Sequence, residues 1–246
     1  GIYKELWIDF FYFIAQGAYQ QAERIISLFS RSQRIQQDLG ANPKKTEVIV
    51  NGVDLNRFES QLEVKTDGEF ILGAVLRIVP IKDVITLIKA FKIVSQRVDQ
   101  IKLYLIGPYD EDLAYYEECK RLIKTLGLTE EIIITGRVNI QEYLPQIDLL
   151  VLTSISEGQP LVILEGFAAG IPVVATDVGA CKELLLGGIE EEIGPAGIIT
   201  KPVAPVSTAE AIIKLVNDHK LRAKMAQNAR ERVEKYYSKE DLIAKY

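Results

Sequence analysis

The residues best suited to chemistry are two glutamates that stand eight positions apart, Glu157 and Glu165, in the stretch SEGQPLVILEGFAAG. Glu157 precedes a Gly-Gln-Pro turn, whereas Glu165 lies within the apolar run that follows. Proline is favoured at the first helical position, because the N–H that it lacks would have no intrahelical acceptor there. The stretch therefore predicts a loop that carries Glu157 and a helix with Pro160 at its first position.

A helix that begins at Pro160 leaves the N–H groups of Leu161 and Val162 free at the positive end of the helix dipole, which suits a phosphate. Gly158 lets a ligand approach the backbone closely. Glu165 shares a helical face with Leu161, where its carboxylate can accept hydrogen bonds from the vicinal hydroxyls of a sugar. The alternative is that Glu165 lies on the solvent face of an ordinary helix.

A second group of polar residues, RIVPIKD, directly follows the apolar segment FILGAVL. Arg77 and Lys82 bracket a Val-Pro-Ile turn, and Asp83 is suited to cap the next helix. Two cations on one strand-to-helix loop suit a diphosphate, the arginine as a fork and the lysine as a point charge. The alternative is a pair of solvated surface cations. Both polar groups nevertheless follow predicted strands, and ligands bind at the carboxyl ends of strands in open α/β sheets.

Further loops follow other predicted strands. Gly107 and Gly136 are typical loop glycines, but the segment from Gly136 to Val138 is placed where its backbone can meet a nucleotide base. The loop at 177–183 is expected to line the same cleft, with its cysteine, Cys181, serving only in packing.

Composition excludes several classes of function. The net charge is −5, acidic and basic residues are interspersed, and no run of lysine and arginine occurs. This argues against a nucleic-acid partner or a polybasic membrane surface. The single histidine, His219, is interpreted as a solvent-facing helical residue, so Ser-His-Asp triads and multi-histidine metal centres are disfavoured. Cys119 and Cys181 lack metal-ligand spacing and indicate a reducing compartment.

The fold class predicted is α/β, a Rossmann-like doubly wound parallel sheet with flanking helices. Short apolar runs alternate with amphipathic stretches, which is typical of repeated β-α units. Helices are expected after Asp83 and over 111–126, the latter closed by Gly127, and Ser207 and Glu210 are expected to form a capping box for the helix that follows them. Strands are expected at 69–76, 101–107, 131–136, 148–154, 171–177 and 197–200.

Two domains are predicted. Residues 58–246 form the Rossmann-like domain with C-terminal helices, and residues 1–57 are interpreted as the remnant of a neighbouring domain and a crossover. The chain begins with Gly rather than Met, so we expect an excised piece of a longer protein. The apolar stretch 6–15 is too short to span a bilayer and contains Asp9. The face of Trp7, Phe10, Phe11 and Phe13 in helix 2–15 is expected to mark either the missing domain or an oligomer interface.

These motifs together resemble the retaining nucleotide-sugar glycosyltransferases of family four, also called group one, which have the two-domain GT-B architecture. The resemblance covers essentially the whole chain. It is carried by VNGVD (50–54), by R-x4-K at Arg77 and Lys82, by E-x7-E at Glu157 and Glu165, and by AAGIPVVATDVGACKELL (168–185). Within the family the chain looks most like the PelF branch of Pel exopolysaccharide synthesis, whose members are cytoplasmic and associated with UDP-glucose.

The resemblance implies a role for each matching residue. Arg77 and Lys82 hold the donor diphosphate and replace a divalent metal, so that neither a metal nor another cofactor is needed. Glu165 binds the ribose, Glu157 faces the donor sugar, and the backbone of Gln159–Leu161 contacts sugar and phosphate. Retention of configuration is then explained by same-face attack assisted by the leaving phosphate, without a protein nucleophile.

The resemblance also implies binding partners, and the chain differs from the family in two features. The partners are a nucleotide-sugar donor, a polysaccharide acceptor bound through the missing N-terminal domain, and a membrane synthase complex with which the protein associates peripherally. Leu76 stands where the family often has glycine, which is expected to narrow the approach to the phosphates. Without its acceptor domain the chain is expected to bind donor but not to transfer.

Two alternatives stay open at this point. A GT-B-type UDP-sugar epimerase shares the fold, but its acid–base chemistry would have to rest on His219 and carboxylates. A non-catalytic interaction module is indicated by the apolar helix 2–15.

Overall fold

The structure is a computed structural model, and it describes residues 2–58, 68–188 and 191–243. The segment 59–67, next to the predicted domain boundary, lies outside the described residues, as do the side chains of residues 2–9, Trp7 among them. The strands are β1 (Ile25–Ser27), β2 (Thr46–Val48), β3 (Phe70–Val75), β4 (Ile101–Ile106), β5 (Ile132–Gly136), β6 (Leu149–Leu152), β7 (Val173–Thr176) and β8 (Gly197–Thr200). The helices are α1 (Ile2–Gln21), α2 (Ser30–Asp38), α3 (Val84–Ser95), α4 (Leu113–Thr125), α5 (Ile140–Tyr143), α6 (Leu161–Ala168), α7 (Cys181–Leu186), α8 (Pro205–Asn217), α9 (His219–Tyr236) and α10 (Lys239–Ile243).

Six parallel strands form the main sheet in the order β5-β4-β3-β6-β7-β8. From β3 the chain adds strands outward on one side, and from β6 it adds them on the other. The order therefore reverses between β3 and β6, which is the point where doubly wound sheets open a crevice for a ligand. The predicted Rossmann-like α/β class is confirmed.

Helices cover both faces of this sheet. In β3, Leu72 and Ala74 face one core while Ile71 faces the other, as the two-residue period of a strand requires. Helices α3, α4 and α8 pack on the first face, and α6 packs with α9 on the second. Burial on both faces explains why the strands are continuous apolar runs rather than alternating ones.

The expectations for individual helices are partly confirmed. Asp83 caps α3 by accepting a hydrogen bond from the N–H of Thr86 at 3.2 Å, and Gly127 follows α4 with φ of +65°. The capping box at Ser207 and Glu210 is wrong. Helix α8 begins two residues earlier, at Pro205, since proline suits a first turn where N–H groups have no acceptor.

The N-terminal segment contributes a small two-stranded parallel sheet of β1 and β2, and the crossover after it is held by the C-terminus. The N–H of Val53 donates to the carbonyl of Tyr237 at 2.9 Å, and the N–H of Lys239 donates to the carbonyl of Val53 at 3.1 Å. Phe58 is fully buried in the α6–α9 side of the core. The chain thus passes into the larger domain before residue 59.

Helix α1 exposes its apolar side chains. Phe10, Phe11 and Phe13 are all at least half exposed, Phe13 by 75%. Within the described residues no helix is long and apolar enough to cross a membrane.

Candidate functional site

A cavity of about 490 Å³ opens at the carboxyl ends of β3 and β6, where the strand order reverses. Arg77 and Lys82 reach it from the β3–α3 loop, and Glu157 reaches it from the β6–α6 loop. The fold therefore brings together the two polar groups that the sequence separates by 75 positions between Lys82 and Glu157.

Lys82 and Glu157 meet in an ion pair at the floor of this site. The Nζ of Lys82 lies 2.5 Å from the Oε1 of Glu157, and their side chains are only 17% and 11% exposed. The hydroxyl of Ser154 donates to the same carboxylate oxygen at 2.6 Å. The charges are compensated within the pair, as a largely buried carboxylate requires. A ligand therefore meets a preformed ion pair here.

The loops that carry this pair are anchored to each other. The buried hydroxyl of Thr153 donates to the carbonyls of Lys82 and Asp83 at 3.1 and 3.0 Å. The hydroxyl of Thr176, at the end of β7, donates to the carbonyl of Ser154 at 2.7 Å. These bonds hold Lys82 and Glu157 in position without a ligand.

Arg77 lies nearer the rim of the cavity. Its Nη1 lies 2.6 Å from the Oε2 of Glu111, and the two side chains are 53% and 42% exposed. Glu111 belongs to the loop between β4 and α4 and was not singled out from the sequence. Both cations of the β3–α3 loop thus have carboxylate partners in this structure.

The start of α6 forms a further wall of the cavity, beside the β3–α3 and β6–α6 loops. Pro160 precedes the helix as its N-cap, with φ of −71° and ψ of 115°, so the prediction that it occupies the first helical position is wrong by one residue. Proline suits this position because its ring fixes φ near −65°. Pro160, Leu161 and Val162 all line the cavity. The side-chain oxygen of the buried Gln159 accepts a hydrogen bond from the N–H of Asn51 at 2.6 Å, which joins the VNGVD segment to the site.

Glu165 lies one turn farther along α6 and is half-buried. Burial raises its pKa above the ordinary glutamate value, and the positive charge of Arg57 offsets part of that rise. The partly desolvated carboxylate suits a role as a hydrogen-bond acceptor for hydroxyls, as the sequence predicts. It is not among the residues that line the cavity.

Two glycines bring the surrounding loops together at distances that no side chain would allow. A Cβ on Gly107, which has φ of +136°, would lie 2.1 Å from the carbonyl oxygen of Leu76. A Cβ on Gly179, which has φ of +54°, would lie 2.3 Å from the carbonyl oxygens of both Glu157 and Gly158. Neither close approach can be seen in the sequence, in which Gly107 is interpreted as a loop glycine and Gly179 is not singled out.

The cavity lining agrees with most of the sequence-based site. Of the predicted residues, Gly136, Gly158 and Glu165 are not among the lining residues, although Gly136 accepts a backbone hydrogen bond from Gly107 at 3.0 Å. The lining adds Leu76, Gly107 and Arg137, among others, to the predicted set. The predicted residues that do line it are Arg77, Lys82, Val138, Glu157, Gln159, Pro160, Leu161 and Val162.

The remaining candidates for chemistry lie apart from the cavity or are inert. His219 is solvent-exposed at the start of α9. Cys119 and Cys181 are buried free thiols, and desolvation raises the pKa of each to about 12, so neither forms a thiolate at neutral pH. Among the described residues no group of three or more His, Cys, Asp or Glu could hold a metal ion.

Fold and site together define a doubly wound α/β domain with a cavity at its switch point that is lined by Arg77 and Lys82. The family model for glycosyl transferases group 1 matches residues 56–232, more than half of the chain. The chain therefore belongs to the group 1 glycosyltransferases. A second family model, a domain of unknown function (DUF3492), matches residues 1–44.

Individual relatives agree with the family. The chain is 28% identical over 182 residues to the N-acetyl-alpha-D-glucosaminyl L-malate synthase of Bacillus anthracis. The aligned region covers 74% of this chain and 45% of that protein. It thus spans about half the length of this relative.

Solved structures show the same fold. HepE of Anabaena, crystallised in complex with UDP and glucose, superposes with a TM-score of 0.80 at 25% identity, covering 95% of this chain and 65% of that one. The C-terminal domain of the group 1 glycosyltransferase LpcC of Francisella tularensis is covered completely, over 76% of this chain, with a TM-score of 0.64 at 27% identity. The sheet is therefore the Rossmann-like sheet of a GT-B glycosyltransferase.

Proposed function

We propose that the chain is the C-terminal, donor-binding part of a retaining glycosyltransferase that moves a hexose, glucose from UDP-glucose, to a growing polysaccharide. The observation that carries the proposal is the convergence of Arg77, Lys82 and the start of α6 on one cavity at the switch point. Two cations and free N–H groups around one space suit a diphosphate. That HepE was crystallised with UDP and glucose supports this choice of donor.

The reaction follows from where charge develops. As the bond between the sugar C1 and the diphosphate oxygen breaks, the electron pair leaves with that oxygen. The guanidinium of Arg77, the ammonium of Lys82 and the N–H groups at the start of α6 are placed to stabilise the resulting charge. An acceptor hydroxyl then attacks C1 on the same face and passes its proton to the leaving phosphate. This scheme needs no metal and no protein nucleophile.

The finer assignments are part of the proposal. They comprise the PelF branch, the hexose, the polysaccharide acceptor, the cytoplasmic location and the peripheral membrane complex. The division into an acceptor-domain remnant at 1–57 and a donor domain at 58–246 belongs here as well. The resemblance in the sequence motifs supports these assignments.

The test is a binding titration of UDP and UDP-glucose by calorimetry, since binding needs no acceptor. We expect both ligands to bind, and we expect Lys82→Ala to weaken UDP binding about tenfold or more, because hydrogen bonds to charged groups contribute about 1.5–3 kcal/mol. Arg97→Ala is the control, since Arg97 lies in an exposed ion pair with Glu210 away from the cavity. Failure of every nucleoside diphosphate and nucleotide sugar to bind at millimolar concentration would refute the proposal.

A second function has one observation in its favour. The exposed Phe10, Phe11 and Phe13 of α1 suit a surface that is covered by another protein element. An interaction module that retains nucleotide binding is therefore the alternative. No feature of the site favours an epimerase, since His219 does not line the cavity.

A further inference from the structure

The short loop between β4 and α4 places a carboxylate at the rim of the proposed donor site. Glu111 pairs with Arg77 at 2.6 Å, yet Arg77 lines the cavity and Glu111 is not among its lining residues. The guanidinium is therefore held towards the rim by a group that stands outside the space where a diphosphate would lie.

The loop around Glu111 is anchored on both sides. The carbonyl of Pro108 accepts a hydrogen bond from the N–H of Ile78 at 2.9 Å, and the Tyr109 ring stacks on Tyr116 with centroids 4.4 Å apart. On the other side Asp112 caps α4. Because the backbone next to Glu111 is fixed, the change on ligand binding falls to the long side chain of Arg77.

We propose that Glu111 competes with the donor diphosphate for Arg77 and so lowers the affinity of this site for nucleoside diphosphates. The inference rests on the proposed function, because it takes Arg77 as a ligand of the diphosphate. While Nη1 donates to Glu111, one of the guanidinium's N–H donors is occupied and the group is held towards the rim, so Arg77 has fewer donors to offer a phosphate in the cavity. The carboxylate of Glu111 also repels the negative charges of a bound diphosphate.

Competition between Glu111 and the diphosphate for Arg77 would favour the release of product during turnover. When the diphosphate product leaves, Arg77 finds a carboxylate partner at once, so release does not leave the cation unpaired. In many enzymes the release of product, rather than the chemical step, limits the rate of turnover. Glu111 is in this sense a residue that sets donor and product affinity, while the chemical step depends on the groups that touch the diphosphate.

The test compares Glu111→Gln with a matched control, Glu210→Gln. Glu210 pairs with Arg97 at 2.5 Å, and those side chains are 53% and 54% exposed, so the control removes an equally exposed ion pair far from the cavity. We expect the Kd for UDP to fall about two- to fivefold in Glu111→Gln, the range that an exposed ion pair supports, and to stay unchanged in Glu210→Gln. The gain should shrink as salt rises.

Two further measurements separate the possible outcomes. Uridine, which has no phosphate, should bind both variants and the unchanged chain equally, and the gain for UDP should vanish when Glu111→Gln is combined with Arg77→Ala. If the unchanged chain binds UDP and Glu111→Gln binds it equally or more weakly, the proposal is wrong, and weaker binding would make Glu111 a positioning residue. If neither UDP nor any other nucleoside diphosphate or nucleotide sugar binds to the unchanged chain, the donor site itself is refuted, and this inference with it.

Discussion

The carboxylate of Glu165 is held where burial disfavours its charge. In the folded chain its pKa is raised by desolvation, so the folded state holds the proton more tightly than the unfolded chain does. The free energy of unfolding therefore falls as pH rises from the ordinary glutamate value through the raised pKa of the folded state. A half-buried charge that costs stability is typical of a binding site rather than of a structural ion pair.

Glu165→Gln should accordingly separate stability from binding. We expect the free energy of unfolding at pH 7 to rise, and the advantage over the unchanged chain to disappear below the ordinary glutamate pKa, where both forms are neutral. Binding of UDP should weaken about tenfold or more, because the substitution would remove the charge-assisted hydrogen bond that we propose Glu165 makes to the ribose. Denaturant unfolding between pH 4 and 8 and calorimetric titration measure the two effects.

Glu183→Gln is the control for this change. The Glu183 carboxylate accepts hydrogen bonds from the backbone N–H and the hydroxyl of Ser30 at 3.2 and 3.0 Å, so we expect that substitution to lower stability. If Glu165→Gln were also destabilising at pH 7 and bound UDP normally, Glu165 would be a structural residue.

At the scale of elements, the site depends on how closely neighbouring loops approach one another. The loop after β7 touches the loop after β6 through Gly179, and the N–H of Ala180 donates to the carbonyl of Gly158 at 2.8 Å. This contact fixes the backbone that leads from Glu157 to the start of α6. The position of the cavity wall at the start of α6 is therefore set by two loops together.

Gly179→Ala should disturb this wall. The new Cβ would have to displace the carbonyls of Glu157 and Gly158, so we expect a loss of about 2–4 kcal/mol from left-handed backbone and overpacking together, and clearly weaker UDP binding. Gly127→Ala is the matched control for Gly179→Ala, because Gly127 also has a positive φ, +65°, but no atom lies within 4 Å of its added Cβ. It should cost about 1 kcal/mol and leave UDP binding unchanged. Equal UDP affinity in the two variants would show that the contact does not shape the site.

At the scale of the whole molecule, the described residues of the N-terminal segment comprise a crossover that is bonded to the larger domain and a helix, α1, that exposes aromatic side chains. Asn51 and Val53 are bonded to Gln159 and Tyr237, whereas the aromatic side chains at positions 10–13 of α1 project into solvent. Apolar side chains that remain exposed contribute little to stability. We therefore expect α1 to contribute little to the stability of the larger domain.

Removal of residues 1–21 should leave the midpoint of thermal unfolding within about 2 °C of that of the complete chain. The affinity for UDP should stay unchanged. Ala22 is kept because its carbonyl accepts a hydrogen bond from the Nζ of Lys45 at 2.9 Å. By light scattering, we expect the complete chain to associate at concentrations where the shortened chain is monomeric. A monomer in both cases would remove the oligomer interface predicted for helix 2–15, and loss of UDP binding would show that α1 supports the site.

The strand positions and the fold class could be predicted from the sequence, and most of the predicted site residues line the cavity. Apolar runs identified the buried strands, and Arg77, Lys82 and Glu157 could be placed because each follows such a run. The helix starts at Pro160 and Ser207 were off by one or two residues, since hydrogen bonds at a helix end depend on the packing of the flanking loops as well as on residue type.

Which of the predicted side chains lie next to one another at the cavity depends on the tertiary fold. The pairing of Lys82 with Glu157, the contact of Arg77 with Glu111 and the close approach of Gly179 to the loop after β6 all join segments that lie on different strand-to-helix loops. Their proximity depends on the order of strands in the sheet, and many orders are compatible with the same run of β-α units. Only when β6 is placed beside β3 do the two motifs become the walls of one cavity.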